Sequence, residues 1–581
     1  MLSQYFHPLN IALVLFVVAT LFFFDAIGTW FDSRYIKSPA FLRPAVWLYG
    51  MGLFVAVWFG LHFFIPFRAD YILFSTLPLL YIALPPYLHF RRWKELWIFA
   101  KSHRLPLIIF FILSPALFVK SSLPPYLTDE MAYHFWSPYD VKHELVWNFG
   151  TGYYQNLPKL IDTMMVLPFA LTKTYAPSRL LHFLLFYSGV TAIYAWLKLR
   201  FGFTVSALFA LMYLFINQNL LIIATSGYID YSMAILITLA VITLLDVMIF
   251  ANPASFLAGS IFWGLSIGGK YTALLGLTAY TTIFSAWYLY QGKKYLHIRN
   301  LAKFLMLLLI FGGYWYVKNL LYTGNPIYPF LFGCKFAQCY DISGVYTGSW
   351  TIPIKFANSF KIISSLTYGH PVVVALFIVA LLLLKLHKTV IFLLIGAFIE
   401  LFLTRNFSGF FDRYFLHLQT LLIIILVLPA VRYKLYLLPI IALAVFLVFT
   451  TLKTTYSPWN YLSPQEVYYA IGKTNIYHWL KDRHKQNGDI IAWCGTSGEK
   501  DLYILDEGIL YTRDEQPMSV LVVNCRYIFP KPGQLATADQ PVWFASHRTC
   551  DSGSDLETRL VCQAKPLGRY LYFYEPKGPT L

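Results

Sequence analysis

Long apolar runs separated by short polar interruptions constrain this chain more than any other feature. They fall at residues 9–26, 45–65, 71–90, 105–120, 179–197, 203–223, 231–250, 255–269, 271–290, 301–317, 371–386, 389–404, 414–431 and 435–452. Each approaches the roughly 20 residues that a helix needs to cross a bilayer core. Backbone polar groups in lipid must be satisfied within the segment, so the spans are helices and the fold class is mainly α, a polytopic membrane bundle of about fourteen spans. Composition agrees: 58% of the 581 residues are hydrophobic and 13% are charged, against about 25% charged in soluble domains.

The formal net charge is +17, which raises the question of a nucleic-acid partner. Residues 455–581 carry 13 Lys or Arg against 14 Asp or Glu, so the whole excess lies among the apolar runs. It sits in short loops: Arg34/Lys37/Arg43, "RRWKELWIFAKSHR" (91–104), Lys198/Arg200, "GKKYLHIRNLAK" (292–303), Lys385/Lys388 and Arg432/Lys434. All of these fall on one side of the membrane if the N-terminus faces out, as short basic cytoplasmic loops require. The charge therefore reports topology and contact with membrane lipids, and no nucleic-acid partner is expected. The first run has no basic n-region and no clear A-x-A site, and reads as an uncleaved anchor.

This orientation turns segments 121–178, 224–230, 318–370 and 405–413 outward, together with the turn at 270 and the tail from 453. The cysteines agree. Cys334 and Cys339 share one outer loop, and Cys494, Cys525, Cys550 and Cys562 lie in the tail, even numbers suited to disulfides in an oxidising compartment. The tail is a different polymer. "NIYHWLKDRHKQ" reads as an amphipathic helix, and "DIIAWCG", "MSVLVVNC", "PVWFAS" and "RYLYFYE" as strands, predicting a small extracytoplasmic α/β domain.

Ionisable residues at membrane boundaries are costly and mark sites. The stretch "SLPPYLTDEMAYHFWSPYD" holds Asp129 and Glu130, then His134 and Trp136. Lys159 follows in "YYQNLPKLIDTMMVLP", Asp230 in "ATSGYIDYSMA", Lys270 in "GLSIGGKYTALLGL", and Asp412 and Arg413 in "NFSGFFDRYFLHL". Each also has a plainer reading. Asp129 and Asp230 suit helix caps, Lys270 and Arg413 suit headgroup snorkelling, and His134 suits a packed or hydrogen-bonded residue because no H-E-x-x-H spacing is present. Trp136 suits an interfacial aromatic belt or a sugar platform. Topology lets the set converge on one outward cavity, carboxylates with three cations.

The carboxylate pair in "TDEMAYHFWSP", after a span, resembles the membrane glycosyltransferases of the GT-C fold, above all the bacterial protein O-mannosyltransferase and aminoarabinose transferase group. "SRLLHFLLFYSG", "SGYIDYSMAILITLA", "GLSIGGKYTALLGL" and "YWYVKNLLYTGNPIYPF" follow in family order, so the resemblance covers about residues 105–430. Three spans precede the one that leads into the carboxylate loop, whereas in the family that span is usually the first. No W-W-D-x-G occurs. The implied organisation is 1–104, additional transmembrane helices; 105–452, a GT-C-like catalytic module; and 453–581, an extracytoplasmic domain.

The resemblance implies an integral plasma-membrane transferase that takes sugar from a polyprenyl-phosphate donor to a hydroxyl on a lipid, glycan or protein, with inversion. Asp129 would be the base, with Glu130 orienting it. Lys159, Lys270 and Arg413 would hold the donor phosphate, with Asp230, Asp412, His134 and Trp136 in support. No cofactor is required, since three cations suffice for a monophosphate. Asp129, Glu130 and Asp230 are also oxygen ligands of the kind Mg²⁺ or Mn²⁺ accepts, so a divalent metal stays open. A lipid-linked glycan flippase is the competing reading, although its charges should lie nearer the midplane.

Overall fold

The computed structural model describes residues 8–62, 94–95, 97–122, 134, 156–166, 168, 176–215, 224–250, 252–290, 298–328, 371–384, 388–407, 416–455 and, in the tail, 490–495, 520–524, 542–546, 558–564 and 571–576. The chain divides into two compact units, one of Met1–Ser121 with Asp140–Thr455 and one of Ser122–Tyr139 with Tyr456–Leu581.

The first unit is helical throughout its described residues. In chain order its helices are α1 (Pro8–Phe31), α2 (Trp47–His62), α3 (Arg104–Ser122), the short α4 (Leu160–Met164), α5 (Ala176–Phe201), α6 (Phe203–Phe215), α7 (Asp230–Phe250) and α8 (Pro253–Gly269). They continue as α9 (Thr272–Tyr290), α10 (Ile298–Leu308), α11 (Tyr314–Thr323), α12 (Pro371–Leu384), α13 (Lys388–Phe407), α14 (Leu416–Val427) and α15 (Lys434–Thr455). The run expected at 71–90 lies outside the described residues; each of the others overlaps one of these helices or, for 301–317, two of them. Val14–Ile36, Ala176–Phe201, Asp230–Phe250 and Arg299–Thr323 are long and apolar enough to cross a membrane, and the protein is an integral membrane protein.

Helix α7 is the hub. Its residues are buried from Asp230 through Asp246, and it packs against α5, α8 and α14. A helix enclosed on all sides by other helices cannot be amphipathic, which is why its sequence is apolar without a polar stripe.

The run expected at 301–317 is not one continuous α-helix. A π-helical turn, Leu309–Gly313, separates α10 from α11, and the reason is packing. Gly264 and Gly268 sit one turn apart on α8, and a Cβ on Gly312 would lie 1.9 Å from the Gly264 carbonyl oxygen. Small residues spaced by four let two backbones touch. This contact sets α11 against the end of α8. The N-terminal helices join the same core: the Phe59 ring of α2 lies 4.8 Å from Trp315 and 4.6 Å from Tyr314.

The described residues of the second unit comprise five strands, β1 (Ile490–Gly495), β2 (Val520–Asn524), β3 (Val542–Ser546), β4 (Thr558–Ala564) and β5 (Leu571–Pro576), with His134 and Ser122. They form one sheet in the order β2-β1-β3-β5-β4. Strand β1 pairs in parallel with β2 and β3, whereas β5 runs antiparallel to β3 and β4. The expected tail helix lies outside the described residues.

Candidate active site

The site is best built from α5. Arg179 and His182, one turn apart and both buried, reach across to the turn that leads into α7. Arg179 Nε donates to the Thr225 carbonyl at 3.1 Å. His182 Nδ1 lies 2.8 Å from the Ser226 carbonyl oxygen, and its Nε2 lies 2.7 Å from Ser232 Oγ. A carbonyl can only accept, so Nδ1 carries the hydrogen and the Ser232 hydroxyl donates to Nε2. These bonds fix the turn, and with it Asp230, the first residue of α7.

Asp230 meets Lys270 at 2.5 Å. Lys270 stands where α8 ends, in extended backbone between α8 and α9. The Asp230 side chain is nearly inaccessible at 2%, whereas Lys270 retains 17% exposure, so the pair sits at the rim of the buried region. The carboxylate also lies at the N-terminus of a 21-residue helix, where the dipole favours negative charge.

Tyr271 extends the network. Its hydroxyl lies 3.0 Å from the Asn156 carbonyl oxygen and 2.7 Å from that of Tyr328, donating to one at a time, and it accepts from Asn319 Nδ2 at 2.6 Å. Asn319 Nδ2 also bonds the Asn156 carbonyl at 2.9 Å. The Asn156 side chain in turn accepts from Lys318 Nζ at 2.8 Å. Tyr328 is delivered by the tight turn after α11, where Gly324 adopts φ 69°, a conformation glycine reaches at no steric cost, and Asn325 Oδ1 accepts from Ile327 N.

Lys159 lies three residues beyond Asn156 and opens α4; its carbonyl accepts from Thr163 N at 2.8 Å and Thr163 Oγ1 at 2.7 Å. Helix α4 lies over the end of α8, with Leu160 against Gly268 and Ile161 against Gly269. Lys159 and Lys318 are both buried and close enough to repel one another. The Asp230–Lys270 pair and the Lys159–Lys318 pair are thus joined through Tyr271, which follows Lys270 in the chain and whose hydroxyl meets Asn156, the partner of Lys318. Two further polar side chains, Asp162 and Thr163, are buried in the same short helix.

Of the residues anticipated from sequence, Asp230 and Lys270 are paired, and Lys159 lies near Lys318 in the adjoining network. His134 belongs to the other unit and is buried. Asp129, Glu130, Trp136, Asp412 and Arg413 lie outside the described residues. The sequence reading missed Lys318, Asn156, Asn319, Tyr271, Arg179 and His182. Lys318 had a legible signal, a lone ionisable residue at the end of an apolar run. The neutral amides had none.

Chemically, such a cluster can hold an anion with several oxygens in water-poor surroundings, where fixed cations are most effective. Among the described residues no group of three His, Cys, Asp or Glu side chains could hold a metal ion.

No family model matches the sequence, and no curated protein matches it. Solved structures do. The crystal structure of ArnT from Cupriavidus metallidurans bound to undecaprenyl phosphate aligns with a TM-score of 0.53 at 14% identity, covering 80% of this chain and 97% of that one. The apo state of the same protein gives 0.51 with the same identity and coverage. At this identity the likeness concerns architecture, and the chain has the GT-C fold of ArnT.

Proposed function

We propose that the chain is a membrane glycosyltransferase that moves a sugar from a polyprenyl-phosphate donor to a hydroxyl of a lipid, glycan or protein at the extracytoplasmic face. The observation that carries this reading is the Asp230–Lys270 pair where α8 ends, next to the network of Tyr271, Asn156 and the buried lysines Lys159 and Lys318. Support comes from ArnT, the structural neighbour described with undecaprenyl phosphate.

In this reading the acceptor hydroxyl attacks the anomeric carbon while its proton passes to the Asp129 carboxylate, with Glu130 orienting the base. The new bond forms from the acceptor oxygen to carbon, and the bond from carbon to phosphate oxygen breaks with its electron pair leaving on the lipid phosphate. Lys159, Lys270 and Arg413 stabilise that growing charge. One base and one displacement invert the anomeric centre. Asp230 holds Lys270 in place, and Asp412, His134 and Trp136 support the substrates. Lysines perform the role a divalent ion would otherwise fill, so we expect transfer to survive chelation; a metal at Asp230 would first have to displace Lys270. The tail domain serves as a structural or acceptor-docking module.

The test uses the full chain in nanodiscs with radiolabelled sugar on polyprenyl phosphate. D129N should lower turnover by about 10²- to 10⁴-fold, the usual worth of a general base. Unchanged turnover removes Asp129 from the role, and a product of retained configuration removes the single displacement. Movement of lipid-linked sugar across vesicles without transfer would identify a flippase instead.

A further inference from the structure

A second cluster of ionisable side chains lies in the helical unit, and the proposed chemistry makes no use of it. Glu400 of α13 and His417 of α14 face each other with Oε1 and Nε2 2.8 Å apart, and each side chain is only 2% exposed. The tyrosine Tyr280 of α9 lies beside this carboxylate and is fully buried. Among the described residues the Tyr280 hydroxyl and Glu400 Oε2 have no hydrogen-bond partner, and His417 Nε2, though close to Glu400 Oε1, is not aligned for a regular hydrogen bond.

The surrounding helices are shaped around the pair. A Cβ on Gly276 of α9 would meet Glu400 Oε1 at 3.0 Å, and one on Gly396 of α13 would meet the Tyr280 ring at 2.2 Å. Gly276 and Tyr280 are one turn apart on α9, as are Gly396 and Glu400 on α13. The two helices therefore interlock reciprocally, each glycine receiving the other helix's large polar side chain. The opposite face of α13 is apolar and exposed at Ile391, Ile395, Phe398 and Phe402, as a lipid-facing surface should be.

An ionisable side chain buried in a membrane bundle is expensive and implies a specific role. We propose that Glu400, His417 and Tyr280 form a proton-binding site that locks α13 onto α9 and α14. With one proton shared between carboxyl and imidazole the couple is neutral overall. The Tyr280 hydroxyl is the donor available to Oε2 in the carboxylate form and the acceptor available in the acid form. A second proton makes Glu400 a neutral acid and leaves an imidazolium buried without a counter-charge, which opens the lock. Among the described residues the titratable groups facing Glu400 are His417 from α14 and Tyr280 from α9. Beyond α14, Tyr213 of α6 lies beside Thr420, and Tyr231 of α7 beside Tyr213; neither phenol is charged at neutral pH.

The site is independent of the transferase reading, and so is its test. The full chain in nanodiscs is titrated with acid while infrared spectroscopy follows the carboxylic-acid C=O band and thermal melting follows stability. A C=O band that grows with acid and is missing in E400Q is expected. The wild-type melting temperature should fall reversibly over the same pH range, by roughly 1 °C if the lock is worth about 1 kcal/mol. In E400L/H417F that fall should vanish, with a neutral-pH melting point no lower than wild type, since apolar replacement of a buried pair is often neutral or stabilising. Should the double variant not fold, H417F takes its place and must shift the titration of the band. An unchanged acid fall in the variants, or no titrating band belonging to Glu400, overturns the proposal.

Discussion

Helix α7 carries a buried aspartate near each end, Asp230 and Asp246, about 24 Å apart at the rise of an α-helix. In sequence they look alike. In the structure they live differently. Asp246 is closed: Oδ1 accepts from Trp196 Nε1 at 3.2 Å and Arg200 Nε at 3.0 Å, and Oδ2 accepts from Ser255 Oγ at 2.6 Å and Asn252 Nδ2 at 3.3 Å. Arg200 also stacks over the Phe250 ring at 3.6 Å. Four donors fill the lone-pair sites of a carboxylate, leaving nothing to offer a substrate. Asp230 meets its lysine at the rim, where Lys270 keeps 17% exposure. One end of α7 is finished as structure, and the other ends in an ion pair that solvent still reaches through its lysine.

The sharpest way to break this comparison is to remove each carboxylate. D246A strands a guanidinium and several donors in a buried knot and should cost about 3–5 kcal/mol, read as lost expression and a lower melting temperature. D230A should cost about 1 kcal/mol or less, because Lys270 at 17% exposure can recover water. Its effect should instead appear in transfer. Equal destabilisation by the two changes would erase the distinction.

Next in size is G312A. A methyl group 1.9 Å from the Gly264 carbonyl oxygen has nowhere to go, since the obstacle is backbone. The helices must separate, at a cost of about 3 kcal/mol. The damage should fall on one end of α7 only: hydrogen exchange should rise at 312–323 and 268–271 while the Asp246 knot stays protected. Uniform loss of protection would show that the two ends are not separable.

How much of this the sequence carried depends on the type of signal. The helices were legible because a bilayer demands apolar length. The break at Leu309–Gly313 was not, since it follows from backbone contact with Gly264 on another helix. Lys159, Asp230 and Lys270 stood out as rare charges at apolar boundaries. Lys318 carried the same signal at the end of the 301–317 run and was passed over. Asn156 and Asn319 carry no charge and no spacing rule, and their role exists only once three segments meet. The tail strands β1, β2, β3 and β5 were foreseen from alternating apolar residues, whereas β4, "TRLVCQA", was overlooked beside its polar ends.

Lys318 sharpens the comparison further. It is fully buried, bonded to Asn156 and repelled by Lys159, so it reaches a bound anion through Lys159 and the field of the pair. If the proposed transferase reading holds, K318M should weaken binding of the polyprenyl-phosphate donor about tenfold, equivalent to about 1.4 kcal/mol. In a K159M background the further loss should be under about threefold, because the two charges act together. Independent, additive losses would mean that Lys318 serves packing alone.

The smallest expected effect concerns the hinge that presents Asp230. Ser232 donates to His182 Nε2, whose other nitrogen holds the Ser226 carbonyl. S232A leaves a buried ring nitrogen without its donor, at about 1 kcal/mol. The imidazole keeps its grip on Ser226, and Arg179 keeps Thr225, so the turn should stay in place. Transfer should fall less than about threefold, with the melting temperature slightly lowered. H182F removes both bonds at once and should lower transfer much more than S232A. If instead the two variants lose transfer equally, Ser232 itself positions Asp230, and the turn is held from α7 rather than from α5.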